Sequence, residues 1–205
     1  MKPRPAVIVL AAGTGSRFGA HGHKLTQRLG TSSVLASTLR HAIGSHLPVI
    51  VVTTEALAEA ARHQVASRDV VIVPAIGTPS AQPLGMGYSI AAGVAARPDA
   101  SGWLVLPGDR PMVQSATIVA VAAALDHHPV AYAQHRGRRG HPVGFAAELY
   151  SELIMLSGDE GAKRLVARYP AHGVDVDDPG VLIDVDTEAD LEKLRSAQTT
   201  APVAR

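Results

Sequence analysis

The sequence predicts an α/β domain in which a mainly parallel sheet is covered by helices on both faces. Three observations carry this. Short apolar runs rich in β-branched residues recur at 7–10, 49–52, 70–73, 103–106 and 130–134. Apart from Gln134 they are continuously apolar rather than alternating, the pattern of strands buried on both faces. The segments between them carry apolar residues at helical spacing, and strands alternating with helices build parallel sheets.

The first strand, VIVL at 7–10, opens into the small-residue turn Ala11-Ala12-Gly13-Thr14-Gly15. After a long loop, residues 33–43 read as a helix with Val34, Leu35, Leu39 and Ile43 on one side and Ser32 or Ser33 as cap. A second strand at 49–52 leads to an alanine-rich helix at 55–66, and a third strand at 70–73 is closed by Pro74. A loop over 75–87, with prolines at 79 and 83, precedes a helix at about 88–96. The fourth strand, 103–106, runs into Pro107-Gly108-Asp109-Arg110-Pro111, followed by a helix at 117–125 and a fifth strand at 130–134.

The pattern then changes. Residues 135–140 hold three arginines and two glycines and read as a hairpin or exposed loop. Helical stretches follow at 147–156 and 159–169, then strands at 174–176 and 181–183 about the turn Asp178-Pro179-Gly180. A last helix at 188–194 is capped by Thr187. The small, polar residues 196–205 read as a disordered tail, leaving 1–195 as one domain.

Composition narrows the function classes. Hydrophobic residues make up 46% and charged residues 18%, ordinary for a soluble globular chain. A formal net charge of +1 gives no general pull on nucleic acid or an anionic membrane. With no cysteine, disulfides, thiolate catalysis and sulfur-ligated metals are excluded. No apolar run approaches the roughly 20 residues of a membrane span, and the first is too short for a signal peptide core. The expected compartment is the cytoplasm.

The glycine turn after the first strand lets backbone N–H groups approach an anion, because no Cβ stands in the way. Arg17 and Lys24 follow, a fork donor and a point charge. Together they describe a triphosphate cradle, although a purely structural turn has the same glycines. A dinucleotide site fits less well. The spacing Gly13, Gly15, Gly19 is not G-x-G-x-x-G, and no acid appears between Gly13 and Glu55.

Ligands in open parallel sheets sit beyond the carboxyl ends of the strands, where the Gly13 turn, the Gly85-Met86-Gly87 turn and Asp109 all lie. Asp109 either closes a turn or holds Mg2+ against phosphate oxygens, a hard ion that suits oxygen ligands. Asp184 and Asp186 fall on one face of an extended segment and repel unless a cation is shared; Asp186 is the metal candidate, with helix capping as its alternative. His141 is either a structural hydrogen-bonding group or part of a site. The segment 158–163 begins a helix with acids at its first turn, or presents N–H groups to a phosphate. Arg136, Arg138 and Arg139 form a solvated loop or hold an anionic second substrate.

Several of these segments resemble one family, the molybdenum cofactor nucleotidyltransferases, and most closely its cytidylyltransferase branch. LAAGTGSRFG with Lys24 is similar to the family's opening signature, though four residues separate Gly19 from the lysine and Phe18 stands where methionine is common. Ala11-Ala12 resembles the cytidine-using enzymes. GMGYSI at 85–90, PGDRP at 107–111, GHPVGF at 140–145 with GDEGAK at 158–163, and DVDTEADL at 184–191 follow in the family's order.

The resemblance implies a three-layer α/β/α Rossmann-like nucleotidyltransferase fold with a mainly parallel, mixed central sheet. It implies transfer of CMP from CTP to the phosphate of a molybdopterin-type cofactor, with pyrophosphate released. Arg17, Lys24 and Asp109 would be catalytic, and Mg2+ would sit on Asp109 and Asp186. Leu10, Ala11, Ala12, Gly13, Thr14, Gly15, Gly85, Met86, Ser89 and Gly108 would meet the nucleotide. His141, Pro142, Asp159, Gly161 and Asp184 would meet the pterin-type acceptor. Such a protein is expected as a monomer or weak homodimer, in transient contact with a molybdoenzyme or its chaperone. Two other readings fit the same residues: the same fold using GTP or another acceptor such as a sugar phosphate or isoprenoid precursor, and a non-catalytic module that binds nucleotide or pterin cofactor.

Overall fold

The computed structural model describes residues 3–15, 18, 22–80 and 84–200. In chain order the elements are β1 (Ala6–Ala11), the short ribbon β2 (Arg28–Leu29) and β3 (Ser32–Ser33), α1 (Val34–Gly44), β4 (Val49–Thr53), α2 (Glu55–Arg62) and β5 (Val70–Ile72). Then come α3 (Met86–Ala95), β6 (Gly102–Pro107), α4 (Ser115–Ala124), β7 (Val130–His135) and β8 (Arg138–Ala146). The chain closes with α5 (Tyr150–Leu153), α6 (Lys163–Arg168), β9 (Ala171–Asp175) and α7 (Glu188–Thr200).

Seven strands form one sheet in the order β5-β4-β1-β6-β8-β7-β9. Every neighbouring pair is parallel except the two that β8 makes with β6 and β7. The sheet is therefore mainly parallel with one reversed strand. β1 lies inside it, between β4 and β6, and sends alternate residues to opposite faces. Val7, Val9 and Ala11 pack with Leu35 and Leu39 of α1, Leu57 of α2, Ile118 of α4 and Leu191 of α7. Ala6 and Ile8 pack with Ile90 and Val94 of α3, Leu153 of α5 and Leu165 of α6. Helices on both sides bury both faces, and this is why β1 reads as unbroken VIVLA. α3 approaches closely enough that a Cβ on Gly93 would stand 2.3 Å from Ile8 Cγ2. Among the described residues, no helix is long and apolar enough to cross a membrane.

Local chemistry sets the boundaries. Ser33 caps α1, its hydroxyl accepting from the Ala36 N–H at 3.1 Å. β7 and β8 join through Arg136-Gly137, both at positive φ (50° and 74°), the signature of a tight two-residue hairpin. Thr187 and Asp190 cap α7 reciprocally: the Thr187 N–H donates to the Asp190 carboxylate and the Asp190 N–H to the Thr187 hydroxyl.

Some expected boundaries move. α2 stops at Arg62, short of 66. The expected helix 147–156 shrinks to a 3-10 turn (Ala147–Leu149) and α5. The expected helix 159–169 starts only at Lys163, because Gly158 (φ 64°) and Gly161 (φ 59°) hold left-handed backbone that no right-handed helix contains. The expected strand at 181–183 is a 3-10 turn, Pro179–Leu182. Its cause is Asp178, which is buried and whose carboxylate accepts from the Gly180 N–H (2.9 Å), the Gln114 N–H (2.9 Å) and the Thr117 hydroxyl (2.7 Å). One side chain therefore winds its own turn and caps the start of α4. Finally, α7 runs on to Thr200, past the start of the expected disordered tail at 196, since Ser196 and Ala197 contain no helix breaker.

Removing that carboxylate would strand three donors. Asp178→Ala is expected to lower unfolding stability by about 2–4 kcal/mol in denaturant melts, well beyond the effect of an ordinary surface substitution.

Candidate active site

β1 and β6 are parallel neighbours, with Leu10 beside Pro107, so the turns that follow them emerge side by side at the carboxyl edge of the sheet. The Gly108 N–H extends the ladder to the Leu10 carbonyl at 2.8 Å, and the Thr38 hydroxyl of α1 holds the Gly108 carbonyl at 2.9 Å. A Cβ on Gly108 would approach the Leu10 carbonyl to 3.0 Å. The next residue, Asp109, is thereby fixed beside the Gly13 turn. Its carbonyl accepts from the Val185 N–H at 3.0 Å, which lays the 184–186 segment alongside.

These turns enclose a cavity of about 420 Å³. Leu10, Ala12, Gly13 and Lys24 form one wall, Gly85, Met86 and Ser89 another, and Asp109, His141, Asp159, Asp184 and Asp186 the remainder. At its centre the Lys24 ammonium donates to Asp109 Oδ2 at 2.6 Å and to Asp186 Oδ1 at 2.7 Å. Two carboxylates from segments 77 residues apart in the chain thus share one cation, and Lys24 and Asp109 are less than a fifth exposed. Burial works against the Lys24 charge. Attraction to Asp109, with both hydrogen bonds and Asp186 added, outweighs it and holds the ammonium above the ordinary lysine range. It stays charged through neutral pH, and what it adds to stability is lost only as pH rises beyond that range.

The second oxygen of Asp109, Oδ1, is buried and accepts no hydrogen bond, with Arg110 Nε 4.0 Å away. A buried carboxylate oxygen left open in this way suits a hard cation. Among the described residues no group of three or more metal-type side chains gathers. A divalent ion on Asp109 and Asp186 would therefore complete its shell with phosphate oxygens and water, the habit of Mg2+ in nucleotide sites.

The predicted pair Asp184 and Asp186 separates: Asp186 meets Lys24, whereas Asp184 accepts from Arg110 Nη2 at 3.1 Å. His141 has its Nδ1 buried with no partner. Burial, with Arg110 and Arg139 nearby, pushes its imidazole down to about 3, so it is neutral at physiological pH.

The two glycine-bearing turns on the far wall interlock. A Cβ on Gly85 (φ 151°) would lie 2.4 Å from Asp159 Oδ1, and one on Gly87 would lie 2.6 Å from the Ser157 carbonyl. The Gly87 N–H donates to the Gly158 carbonyl at 2.8 Å, so Asp159 is carried by the start of α3. The Ser89 hydroxyl donates to the Gly85 carbonyl at 3.2 Å.

Six expected residues line no part of this cavity. Ala11 faces the opposite side of β1, Thr14 and Gly15 continue the turn, Gly108 is packed under Leu10, Pro142 is buried in β8, and Gly161 makes room for Met86. Arg17 lies outside the described residues. Sequence reasoning did not assign His23, Leu25, Pro74, Ile76, Leu84 and Pro107, which do line the cavity, nor did it give Tyr88 and Arg110 a role. Arg110 and Pro107 flank Asp109, and this adjacency is the one signal that pointed to them.

The MobA-like NTP transferase domain family matches residues 7–174. The chain is 27% identical to Rv0371c from Mycobacterium tuberculosis, with a TM-score of 0.79 over 94% of this chain and 98% of that one. A structure of that protein in complex with manganese is similar at 26% identity and a TM-score of 0.77, over 96% of this chain and 100% of that one. Molybdopterin-guanine dinucleotide biosynthesis protein A from Archaeoglobus fulgidus shares the fold at 16% identity and a TM-score of 0.69, over 96% of this chain and 100% of that one. The bifunctional protein GlmU of Polaromonas naphthalenivorans is 34% identical over 125 residues, which are 58% of this chain. The match spans about a quarter (26%) of that longer protein.

The buried imidazole generates a pH signature. Because His141 titrates lower in the folded chain than in the unfolded one, the stability tied to its neutral form is complete above about pH 6.5 and is lost as pH falls toward 3. NMR titration is expected to show no protonation of His141 between pH 5 and 8. Between pH 7 and 4.5 the wild type should lose about 2–3 kcal/mol more stability than His141→Asn.

Proposed function

The chain belongs to the family of MobA-like NTP transferase domains, and from that premise we propose that it transfers CMP from CTP to the terminal phosphate of a molybdopterin-type pterin acceptor. It is a nucleotidyltransferase of that fold. The observation that carries the finer reading is the Lys24 ammonium shared by Asp109 and Asp186 at the floor of the cavity, beside the glycine turn. Cytidine is favoured by Ala11-Ala12, of which Ala12 lines the cavity.

In this reading the triphosphate lies along the Gly13 turn, whose backbone N–H groups and the Lys24 ammonium neutralise its charge, with Arg17 in the same role on sequence grounds. Asp109 and Asp186 would hold Mg2+, which would supply charge neutralisation for the phosphates. That the similar protein Rv0371c was crystallised in complex with manganese supports a role for a divalent ion. An oxygen of the acceptor phosphate attacks the α-phosphorus in line, the bond to the β-phosphate breaks, and pyrophosphate departs with the electron pair. The attacking oxygen is already ionised near neutral pH, so the chain supplies position and charge rather than a base. Neutral His141, Asp159 and Asp184, the last steered by Arg110, form the wall that the acceptor meets.

A pyrophosphate-release screen of CTP, GTP, UTP and ATP against molybdopterin and against sugar phosphates tests this. Release is expected with CTP and the pterin acceptor. Release only with a sugar phosphate, or nucleotide binding without release, would replace the reading. Asp109→Asn is expected to lower kcat by about 10³-fold while the thermal midpoint stays within a few degrees; full activity with Mg2+ would remove Asp109 from the metal.

A further inference from the structure

His23 immediately precedes Lys24 and makes a bridge that neither the family match nor the reaction requires. It is the N-cap of the short 3-10 turn Lys24–Thr26, and its Nδ1 accepts the Leu25 N–H at 3.2 Å. A ring nitrogen that accepts a hydrogen bond carries no hydrogen, so the neutral ring must carry its hydrogen on Nε2. Nε2 lies 2.8 Å from the Gly13 carbonyl and donates to it. The ring also lies against Gly15, where φ is +63° and a Cβ would stand 3.3 Å from Cδ2 and Nε2. The His23 carbonyl is itself held by the Thr26 N–H (3.0 Å) and hydroxyl (2.8 Å), so the clasp is rooted in the same turn that carries Lys24.

We propose that His23 is a positioning residue that locks the glycine turn to the Lys24 turn and so presents a preorganised loop to the nucleotide triphosphate. The inference rests on the nucleotide reading of the site. A peptide unit is planar and trans, so anchoring the Gly13 carbonyl fixes the direction of the Thr14 N–H. Anchoring His23 also fixes the backbone from which the Lys24 side chain departs. Without the clasp, both groups would have to be ordered at the moment of binding, and the loss falls on affinity rather than on the chemical step.

The test compares wild type, His23→Asn and His23→Ala. Asparagine retains a capping oxygen for the Lys24 turn but is too short to reach Gly13. Calorimetric titration with the four nucleoside triphosphates and Mg2+ is expected to show affinity weakened about tenfold in H23N, with KM for the nucleotide rising in step. The kcat at saturation should stay within about twofold and the thermal midpoint within about 2 °C, which a merely structural role would not produce. H23A should bind more weakly still. Imidazole ¹⁵N spectra of the wild type should show hydrogen on Nε2. Unchanged affinity in H23N, or hydrogen on Nδ1 in the wild type, would overturn the proposal. If the wild type binds none of the four triphosphates, the nucleotide reading fails by itself. The clasp is then judged by the Gly13–Gly15 amide shifts in H23N, and unchanged shifts would overturn it.

Discussion

Two carboxylates that would repel each other are held around one ammonium, and the rest of the molecule is arranged to make that possible. Lys24 leaves the loop after β1, Asp109 ends the neighbouring strand, and Asp186 arrives from a segment pinned to the Asp109 backbone. The three side chains carry one more negative charge than positive, offset in part by the Arg110 guanidinium 4.0 Å from Asp109 Oδ1. Near a surface, an unbalanced charge at contact distance is worth a few kcal/mol. Lys24 and Asp109 are largely buried and Asp186 partly so; such groups persist only if the scaffold holds them together, and a further cation would relieve them. The Asp109 oxygen that accepts no hydrogen bond, 4.0 Å from Arg110 Nε, lies at the point where that relief is available.

The scaffold meets this demand with backbone rather than side chains. Parallel pairing of β1 and β6 sets two turns next to each other, and Gly108 allows the second to press under the carbonyl of Leu10. On the opposite wall, Gly85 and Gly87 interlock with the 157–159 turn at distances that leave no space for a side chain. The cavity is thus bordered by turns whose shape is fixed by contact, and positioning is what a phosphoryl-type transfer most needs. The MobA-like NTP transferase domain family, whose model matches residues 7–174, is consistent with this arrangement.

Much of this was legible in the chain. Unbroken apolar runs such as VIVL and WLVL announced strands buried on both faces, and their alternation with helices announced the parallel core. Lys24, Asp109 and Asp186, singled out by chemistry and by place in the chain, converge in space. What was not legible depends on contacts between distant residues. No local pattern shows that β8 slots backwards between β6 and β7, because strand order is decided by packing. The apolar 181–183 reads as a strand, yet Asp178 bonds to Gln114 and Thr117 and winds it into a turn. Arg110 taking Asp184 away from Asp186, and the choice of His23 tautomer, are likewise set by partners that sequence spacing cannot reveal.

On the proposed function, the Lys24, Asp109 and Asp186 cluster receives the metal-bound triphosphate. A crystal structure with Mn2+ and a non-hydrolysable CTP analogue, using the anomalous signal of manganese, tests it most directly. One manganese peak between Asp109 and Asp186 is expected, with the Lys24 ammonium moved onto a phosphate oxygen. Manganese or nucleotide bound elsewhere, with Lys24 still bridging the two carboxylates, would contradict it.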